Sequence, residues 1–258
     1  MRIVIKVGTS TLAHESGRLN IRHTEELCKV LSDLKNAGHE IILVSSGAIG
    51  MGMGKLSLSS RPTDIPTKQA AAAVGQCELM YTYDKLFSEY RHTVAQLLLT
   101  GSDFKNEERH ENFHNTLLRL LALGALPIIN ENDTVATEEI KVGDNDTLSA
   151  LVATSVDAEL LILLSDIDGL YTADPHKNAD AVLLSAVTEL TPEILALGGE
   201  SDSGLGTGGM ATKLAAAGLC MESGCDMVIA NGATPALIYD IVEGKSVGTR
   251  FYAKGEAK

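Results

Sequence analysis

The amino-acid sequence predicts an α/β fold in which a mostly parallel sheet is covered by helices on both faces. Strand-like and helix-like patterns alternate along the chain, as parallel strands joined by crossover helices require. Several strand segments are unbroken apolar runs such as Ile41-Ile42-Leu43-Val44, which is typical of strands buried on both faces. No linker rich in Pro, Gly and Ser divides the 258 residues. We therefore expect one domain with two lobes, about 1–150 and about 151–258, that meet near residue 150.

The first lobe is predicted to contain four strands and three helices. The strands are the apolar segments 2–7, 41–44, 94–99 and 125–129. The helices are indicated by apolar residues at helical spacing in 27–34 and 113–121, and by an alanine-rich segment at about 67–90. Its alanines, 70–73, would permit close packing against a neighbouring helix, either of the same chain or of another subunit. Segment 45–54 contains four glycines and is expected to be a loop.

The second lobe repeats this alternation. A helix is predicted to begin near Thr147, a buried strand to cover 160–164, a helix to cover about 210–223 and a strand to cover 226–230, before the closing segment 247–251. The order of the strands within the sheet does not follow from these patterns.

Composition limits the classes of partner. With 21 basic and 34 acidic residues, the formal net charge is −13, which would repel nucleic acid and anionic membranes, so neither is expected as a partner. The four cysteines form no C-x-x-C pair and indicate thiols in a reducing compartment. The apolar run at the N-terminus is too short for a signal peptide, and no apolar run approaches the length that spans a bilayer. A cytoplasmic protein is expected.

The segment 204–213, Gly-Leu-Gly-Thr-Gly-Gly-Met-Ala-Thr-Lys, is the most distinctive motif. Glycines allow backbone N–H groups to converge, and a helix N-terminus adds unpaired donors and a positive dipole end, so the motif is suited to phosphate. It differs in spacing from the P-loop, and no Ser or Thr follows Lys213. A flexible surface loop before an ordinary helix is the alternative.

Polar or glycine-rich segments also follow the strands that end near Val7, Val44, Ile129 and Leu164. Ligands of open parallel sheets bind beyond the carboxyl ends of strands, so these segments predict a cleft. Lys6 would either hold phosphate oxygens there or face water from an edge strand. The turn at Ser46 would either bind an anion through its N–H groups or only join a strand to a helix.

Amide and carboxylate side chains form a further candidate set: Asn130, Asn132, Asp133, Asn145 and Asp146. Carboxylates would suit an α-amino group, and Asn donors would suit a carboxylate or an amide. The alternative for 143–146 is a turn with an N-cap, and Ser165-Asp166 could likewise be a simple cap.

Six segments, in the same order along the chain as in a known family, carry a resemblance that covers about residues 2 to 251. They are Lys-Val-Gly-Thr-Ser at 6–10, Val-Ser-Ser-Gly-Ala-Ile at 44–49, Ile-Asn-Glu-Asn-Asp at 129–133, Val-Gly-Asp-Asn-Asp at 142–146, Gly-Leu-Tyr-Thr-Ala-Asp-Pro at 169–175 and Gly-Thr-Gly-Gly-Met-Ala-Thr-Lys at 206–213. The chain resembles the glutamate 5-kinases of the amino-acid kinase family. The first two segments are shared with acetylglutamate kinase, aspartokinase and UMP kinase, whereas the third and sixth are more particular to glutamate 5-kinases.

The resemblance implies a three-layer αβα sandwich with an open, mainly parallel sheet. It implies transfer of the γ-phosphoryl group of ATP, accompanied by Mg²⁺, to the side-chain carboxylate of L-glutamate in the first step of proline synthesis. Proline is the expected feedback inhibitor, and a homo-oligomer is expected. Lys6 and Lys213 would flank the phosphoryl group, and Asp146 would hold both lysines.

The resemblance also assigns binding residues, and it leaves the ligands of Mg²⁺ open. The residues expected to bind glutamate are Ser46, Asp133 and Asn145. Those expected to bind ATP are Lys6, Ser165, Asp166, Thr207, Gly208, Gly209, Met210, Ala211, Thr212 and Lys213.

One departure and two competing functions accompany this resemblance. Many glutamate 5-kinases continue into a C-terminal PUA-type domain, whereas the sequence stops at Lys258, so a kinase domain alone is expected. A kinase acting on acetylglutamate or aspartate is one competitor; the carboxylates of Asp133 and Asp146 favour an acceptor with a free α-amino group. A non-catalytic sensor is the other, and it would not need two lysines because it has no transition state to stabilise.

Overall fold

The computed structural model describes residues 1–14, 18–136, 144–175, 177–199 and 209–255. Within these ranges one sheet contains β1 (Arg2–Val7), β2 (Glu40–Ser45), β3 (Val94–Leu99), β4 (Leu126–Glu131), β5 (Leu160–Ser165), β6 (Ala186–Val187), β7 (Asp226–Asn231) and β8 (Thr249–Phe251). The helices are α1 (Thr9–Leu12), α2 (Ile21–Asn36), α3 (Ala48–Lys55), α4 (Ile65–Ser88), α5 (Gly101–Lys105), α6 (Glu107–Ala122), α7 (Asn145–Ser155), α8 (Pro192–Ala196), α9 (Met210–Glu222) and α10 (Leu237–Val242).

β1 lies in the interior of the sheet, whose strand order is β3-β4-β2-β1-β5-β7-β8-β6. It pairs in parallel with β2 and with β5, so that Val7 is opposite Ser45 on one side and Leu164 on the other. The chain places β2, β3 and β4 on one side of β1 and the four later strands on the other, which makes the β1–β5 boundary a topological switch point. Ligands of open α/β sheets bind in the crevice beyond the carboxyl ends of the strands at such a point.

Two hydrophobic cores cover the two faces of the sheet. Alternate strand residues such as Val4 and Leu163 pack under α6, α7 and α9, and the intervening residues such as Ile5 and Ile162 pack under α2, α4 and α10. Because both faces are covered, the central strands are apolar at successive positions rather than at every second one. The predicted three-layer αβα sandwich is confirmed.

The sheet is mainly parallel, as predicted, with a different arrangement at one edge. β8 runs antiparallel to β7, and the two-residue strand β6 pairs with β8. The alternative that Lys6 lies on an edge strand is wrong, since β1 has a neighbour on each side. No helix in the described part of the chain is long and apolar enough to cross a bilayer.

The prediction of a glycine loop over 45–54 is wrong beyond its first turn. Gly47, with φ +106°, is the N-cap of α3. The later glycines of the segment lie within this helix. Among them, Gly52 must be small because α3 lies directly against α4. A Cβ atom on Gly52 would lie 1.8 Å from the carbonyl oxygen of Ala71, and one on Gly75 would lie 1.7 Å from that of Ala48. The expected close helix packing of the alanine-rich segment therefore occurs within the chain.

Candidate active site

Lys6 and Lys213 share a single buried carboxylate. Nζ of Lys6 lies 2.7 Å from Oδ1 of Asp146, and Nζ of Lys213 lies 3.0 Å from Oδ2. The Asp146 side chain is 1% exposed, that of Lys213 is 7% exposed and that of Lys6 is 12% exposed. The structure thus brings together the three residues predicted to be catalytic, at the carboxyl end of β1.

Each member of this ion triad is placed by a different element. Lys6 is the second-last residue of β1 and shares the sheet face of Val4, on which α7 and α9 pack. Asp146 is in the first turn of α7, and Lys213 is the fourth residue of α9. The positive end of the α9 dipole disfavours a cation at Lys213, and the nearby buried carboxylate of Asp146 offsets this effect. Two ammonium groups and two helix N-termini around one carboxylate leave a positive site that suits an anion.

The pKa of the Asp146 carboxyl reflects two opposing effects. Burial favours the neutral acid and by itself would raise the pKa. The ammonium groups of Lys6 and Lys213 outweigh burial and hold the pKa below its usual value of 3.8. Asp146 is therefore a carboxylate throughout the physiological range, and it acts as a fixed anchor for both lysines.

The N-terminus of α9 contains the part of the glycine-rich motif that the structure describes. Gly209 is the N-cap and supplies no side-chain cap to the first turn. The hydroxyl of Thr212 lies 2.8 Å from the carbonyl oxygen of Gly209 and 3.3 Å from Oδ2 of Asp146. Met210 and Ala211 belong to the same turn, which lies next to the ion triad, while Thr207 and Gly208 lie outside the described residues.

A network of amide side chains adjoins the ion triad. Nδ2 of Asn145 donates to Oγ of Ser46 at 2.7 Å and to Oδ1 of Asn130 at 3.1 Å. Nδ2 of Asn130 in turn donates to Oε1 of Gln76 at 2.9 Å. Asn145 and Asp146 are consecutive in α7, so one helical turn supplies a residue to the network and a residue to the lysine pair.

The hydrogen bonds of this network correct the prediction for Asn145. The residue type predicts that Asn145 offers its donors to a carboxylate or an amide, but both Nδ2 hydrogens are already directed at Ser46 and Asn130. Within the described part of the chain, its carbonyl oxygen is thus left for a ligand. Gln76 was not among the predicted site residues. The only sequence signal for it is a polar side chain within the alanine-rich segment.

The remaining predicted residues lie around these two groups. Ser165 is buried at the end of β5, beside β1, and its hydroxyl donates to the exposed Asp166 at 3.1 Å. The predicted alternative of a turn at 143–146 also holds in part, since Asp144 caps α7 by accepting from N–H of Thr147 at 2.8 Å. Asp133 is half-buried in the turn after β4, and its place in a glutamate site stays a prediction.

The sheet is open and mainly parallel, and a lysine pair lies at its switch point. A protein-family model also matches most of the chain. The chain belongs to the amino acid kinase family, whose model matches residues 1–231. Within that family its relatives include the glutamate 5-kinase of Clostridium tetani (strain Massachusetts / E88), at 55% identity over 97% of this chain and 94% of the relative. The glutamate 5-kinase of Listeria innocua is 54% identical over 99% of this chain and 94% of the relative.

Solved structures with the same fold are more distant in sequence. An isopentenyl phosphate kinase from T. acidophilum superposes with a TM-score of 0.66 at 16% identity, over 97% of this chain and all of that one (100%). UMP kinase from Ureaplasma parvum gives a TM-score of 0.65 at 16% identity, over 97% of this chain and 98% of that one. These similarities concern the fold alone.

Proposed function

We propose that this chain is an ATP-dependent glutamate 5-kinase, which transfers the γ-phosphoryl group of ATP to the side-chain carboxylate of L-glutamate. The product would be L-glutamyl 5-phosphate, the first intermediate of proline synthesis. The observation that carries the proposal is the pairing of Lys6 and Lys213 on Asp146 at the switch point of the sheet. The glutamate 5-kinases that match nearly the whole chain at 52–55% identity support glutamate as the acceptor.

The two lysines would stabilise the transferred phosphoryl group. In phosphoryl transfer, negative charge lies on the equatorial, attacking and leaving oxygens, and catalysis is mostly positioning and electrostatic stabilisation. Lys6 reaches the site from β1 and Lys213 from α9, so the two ammonium groups approach from different elements. Asp146 holds both in place. The acceptor carboxylate is already ionised at neutral pH, since its usual pKa is about 4.3, so no general base is required.

The two substrates would occupy adjacent parts of the sheet edge. Ser46, Asp133 and Asn145 would bind glutamate on the β2–β4 side of β1. Ser165, Asp166 and the 207–213 motif, together with Lys6, would bind ATP on the β5 side. The N-cap Gly209 and the first turn of α9, which contains Met210, Ala211 and Thr212 beside Lys213, offer backbone N–H groups that suit phosphate oxygens.

Mg²⁺ would enter as the complex with ATP. The described residues contain no group of three or more His, Cys, Asp or Glu side chains that could hold a metal ion. Both oxygens of Asp146 face ammonium groups. Such residues do not fit a metal site built by the protein, whereas phosphate oxygens and water commonly supply most of the Mg²⁺ shell.

Turnover assays with three acceptors test the function. ADP release and hydroxamate formation would be measured with L-glutamate, L-aspartate and N-acetylglutamate, each with MgATP. We expect turnover with glutamate to exceed that with either alternative. Turnover with another acceptor and none with glutamate would contradict the proposal, and binding of ATP without any turnover would favour the sensor.

Proline inhibition and assembly are separate parts of the proposal. Proline shares the α-carboxylate and α-nitrogen of glutamate, so it is expected to compete at the Ser46–Asn145 side of the site. Raising glutamate should then relieve inhibition by proline. Sedimentation of the purified protein over a range of concentrations would test the expected homo-oligomer.

A further inference from the structure

Gln76 is a buried polar residue that joins the amide network through Asn130. It lies on α4, is 8% exposed, and accepts a hydrogen bond from Nδ2 of Asn130 through Oε1. Its Nε2 group is buried and has no hydrogen-bond partner among the described residues. A buried donor left unpaired is destabilising, so an apolar side chain of similar size would serve packing better than glutamine. Such a departure from good packing chemistry is expected at functional positions.

A backbone group identifies which atoms donate and which accept in the hydrogen bonds among Asn130, Gln76 and Asn145. The N–H of Glu131 donates to Oδ1 of Asn130 at 2.9 Å, and a backbone N–H can only donate. This bond places the carbonyl oxygen of Asn130 toward Glu131 and its Nδ2 toward Gln76. Asn145, which also approaches Oδ1 of Asn130, must then present Nδ2 to it.

The same reasoning assigns the atoms that face a ligand. Asn145 uses its two Nδ2 hydrogens on Asn130 and Ser46, which leaves its Oδ1 as an acceptor. The Ser46 hydroxyl accepts from Asn145, which leaves its own hydrogen to donate. An acceptor beside a donor matches an α-ammonium group beside a carboxylate.

We propose that Gln76 is a positioning residue for the acceptor: by holding Asn130, it keeps Asn145 turned so that its carbonyl oxygen accepts from the α-ammonium group of glutamate. This inference rests on the proposed function, since it specifies how that site distinguishes an amino acid from a dicarboxylate without an amino group. Gln76 acts through Asn130 and Asn145 and does not take part in phosphoryl transfer.

The test compares glutamate with glutarate, which has both carboxylates and lacks the ammonium group. Gln76→Met keeps the side-chain length and removes both polar atoms. We expect KM for glutamate to rise about tenfold, the change given by loss of one well-oriented hydrogen bond, while kcat and KM for ATP stay within about twofold. The preference for glutamate over glutarate should fall by a similar factor. Calorimetric binding of both ligands gives the same comparison without turnover, so it remains informative if the proposed reaction fails.

A double-mutant cycle with Asn145→Ala tests the route of action. If Gln76 acts through Asn145, Gln76→Met should change glutamate binding little once Asn145 is already alanine. Additive losses in the double variant would overturn the proposal. So would a fall in kcat alone with an unchanged preference for glutamate over glutarate.

Two further variants separate positioning from general destabilisation. Tyr83→Phe removes another buried hydrogen bond of α4, the 2.8 Å contact between Ser45 Oγ and Tyr83 OH, and should lower stability without changing the preference. Gln76→Glu retains an oxygen that accepts from Asn130, and burial favours its neutral acid, so the preference should be kept. Loss of the preference in Tyr83→Phe, or in Gln76→Glu to the extent seen with Gln76→Met, would contradict the proposal. If Gln76→Met does not fold, Gln76→Glu and Tyr83→Phe decide the matter.

Discussion

Asn145 and Asp146 are consecutive residues in the first turn of α7, and each holds a different half of the site. Asn145 donates to Ser46 and Asn130, whereas Asp146 binds the ammonium groups of two lysines. A shift of this one turn would therefore disturb the proposed acceptor side and the proposed phosphoryl side together.

Lys213→Ala should lower kcat strongly and leave the fold intact. Removal of one electrostatic stabiliser of a transition state typically costs about 100-fold to 1,000-fold in turnover. Asp146 keeps Lys6 as a partner, so no buried charge is left unpaired. Turnover and circular dichroism would be measured in parallel, and unchanged turnover would show that Lys213 is only a helix residue.

Asp146→Asn should lower both stability and turnover, because it leaves two largely buried ammonium groups without their shared carboxylate. Breaking a buried ion pair by removing one partner costs about 3–5 kcal/mol. The measurement is urea unfolding at pH 7 together with kcat. Lys177→Ala, which breaks an exposed pair with Asp174, is the control and should change stability by less than about 1 kcal/mol.

The stability advantage of Asp146 should depend on pH in a defined direction. Its pKa in the folded protein lies below the usual 3.8, so folding favours the ionised form. The advantage is complete above that usual value and disappears as the pH falls through the lower folded pKa. The gap in unfolding free energy between wild type and Asp146→Asn should narrow below about pH 4. A gap that widens there would contradict the assignment.

Asp144→Ala should weaken the start of α7 and, with it, the active site. Loss of an N-cap costs about 1 kcal/mol. Asp64 caps α4 in the same way, accepting from N–H of Thr67 at 2.9 Å, so Asp64→Ala is a matched control. Both variants should lose similar stability, but only Asp144→Ala should change kcat and KM for glutamate. Equal kinetic effects in the two variants would argue against a special role for this turn.

Two glycines of α3 should respond to alanine with opposite signs. At Gly52 a Cβ atom would lie 1.8 Å from the backbone of α4, so Gly52→Ala should destabilise by about 1–3 kcal/mol or more. At Gly50 the nearest atom is the Thr9 methyl at 3.5 Å, and alanine should be neutral or stabilise by up to about 1 kcal/mol. Thermal unfolding of both variants checks this, and equal shifts would contradict the packing argument.

Much of the fold was predictable because strand and helix patterns are local. The apolar runs of β1, β2 and β5 identify strands buried on both faces, and the glycine-rich motif marks the start of α9. For the segment after β2 the local pattern predicts a loop, because glycines usually interrupt helices. In the molecule Gly52 of that segment allows α3 to approach α4, a requirement that comes from Ala71, nineteen positions further along the chain.

The sequence by itself determined the class of fold, the family and the residue types of the site, since motifs and periodicity are properties of neighbouring residues. Only the tertiary structure decided that Lys6 and Lys213 share Asp146, that β1 is an interior strand and that Gln76 belongs to the amide network. Those relationships depend on strand order and on the direction of individual hydrogen bonds. Both are determined by packing between segments that are distant in sequence, so local sequence patterns do not predict them.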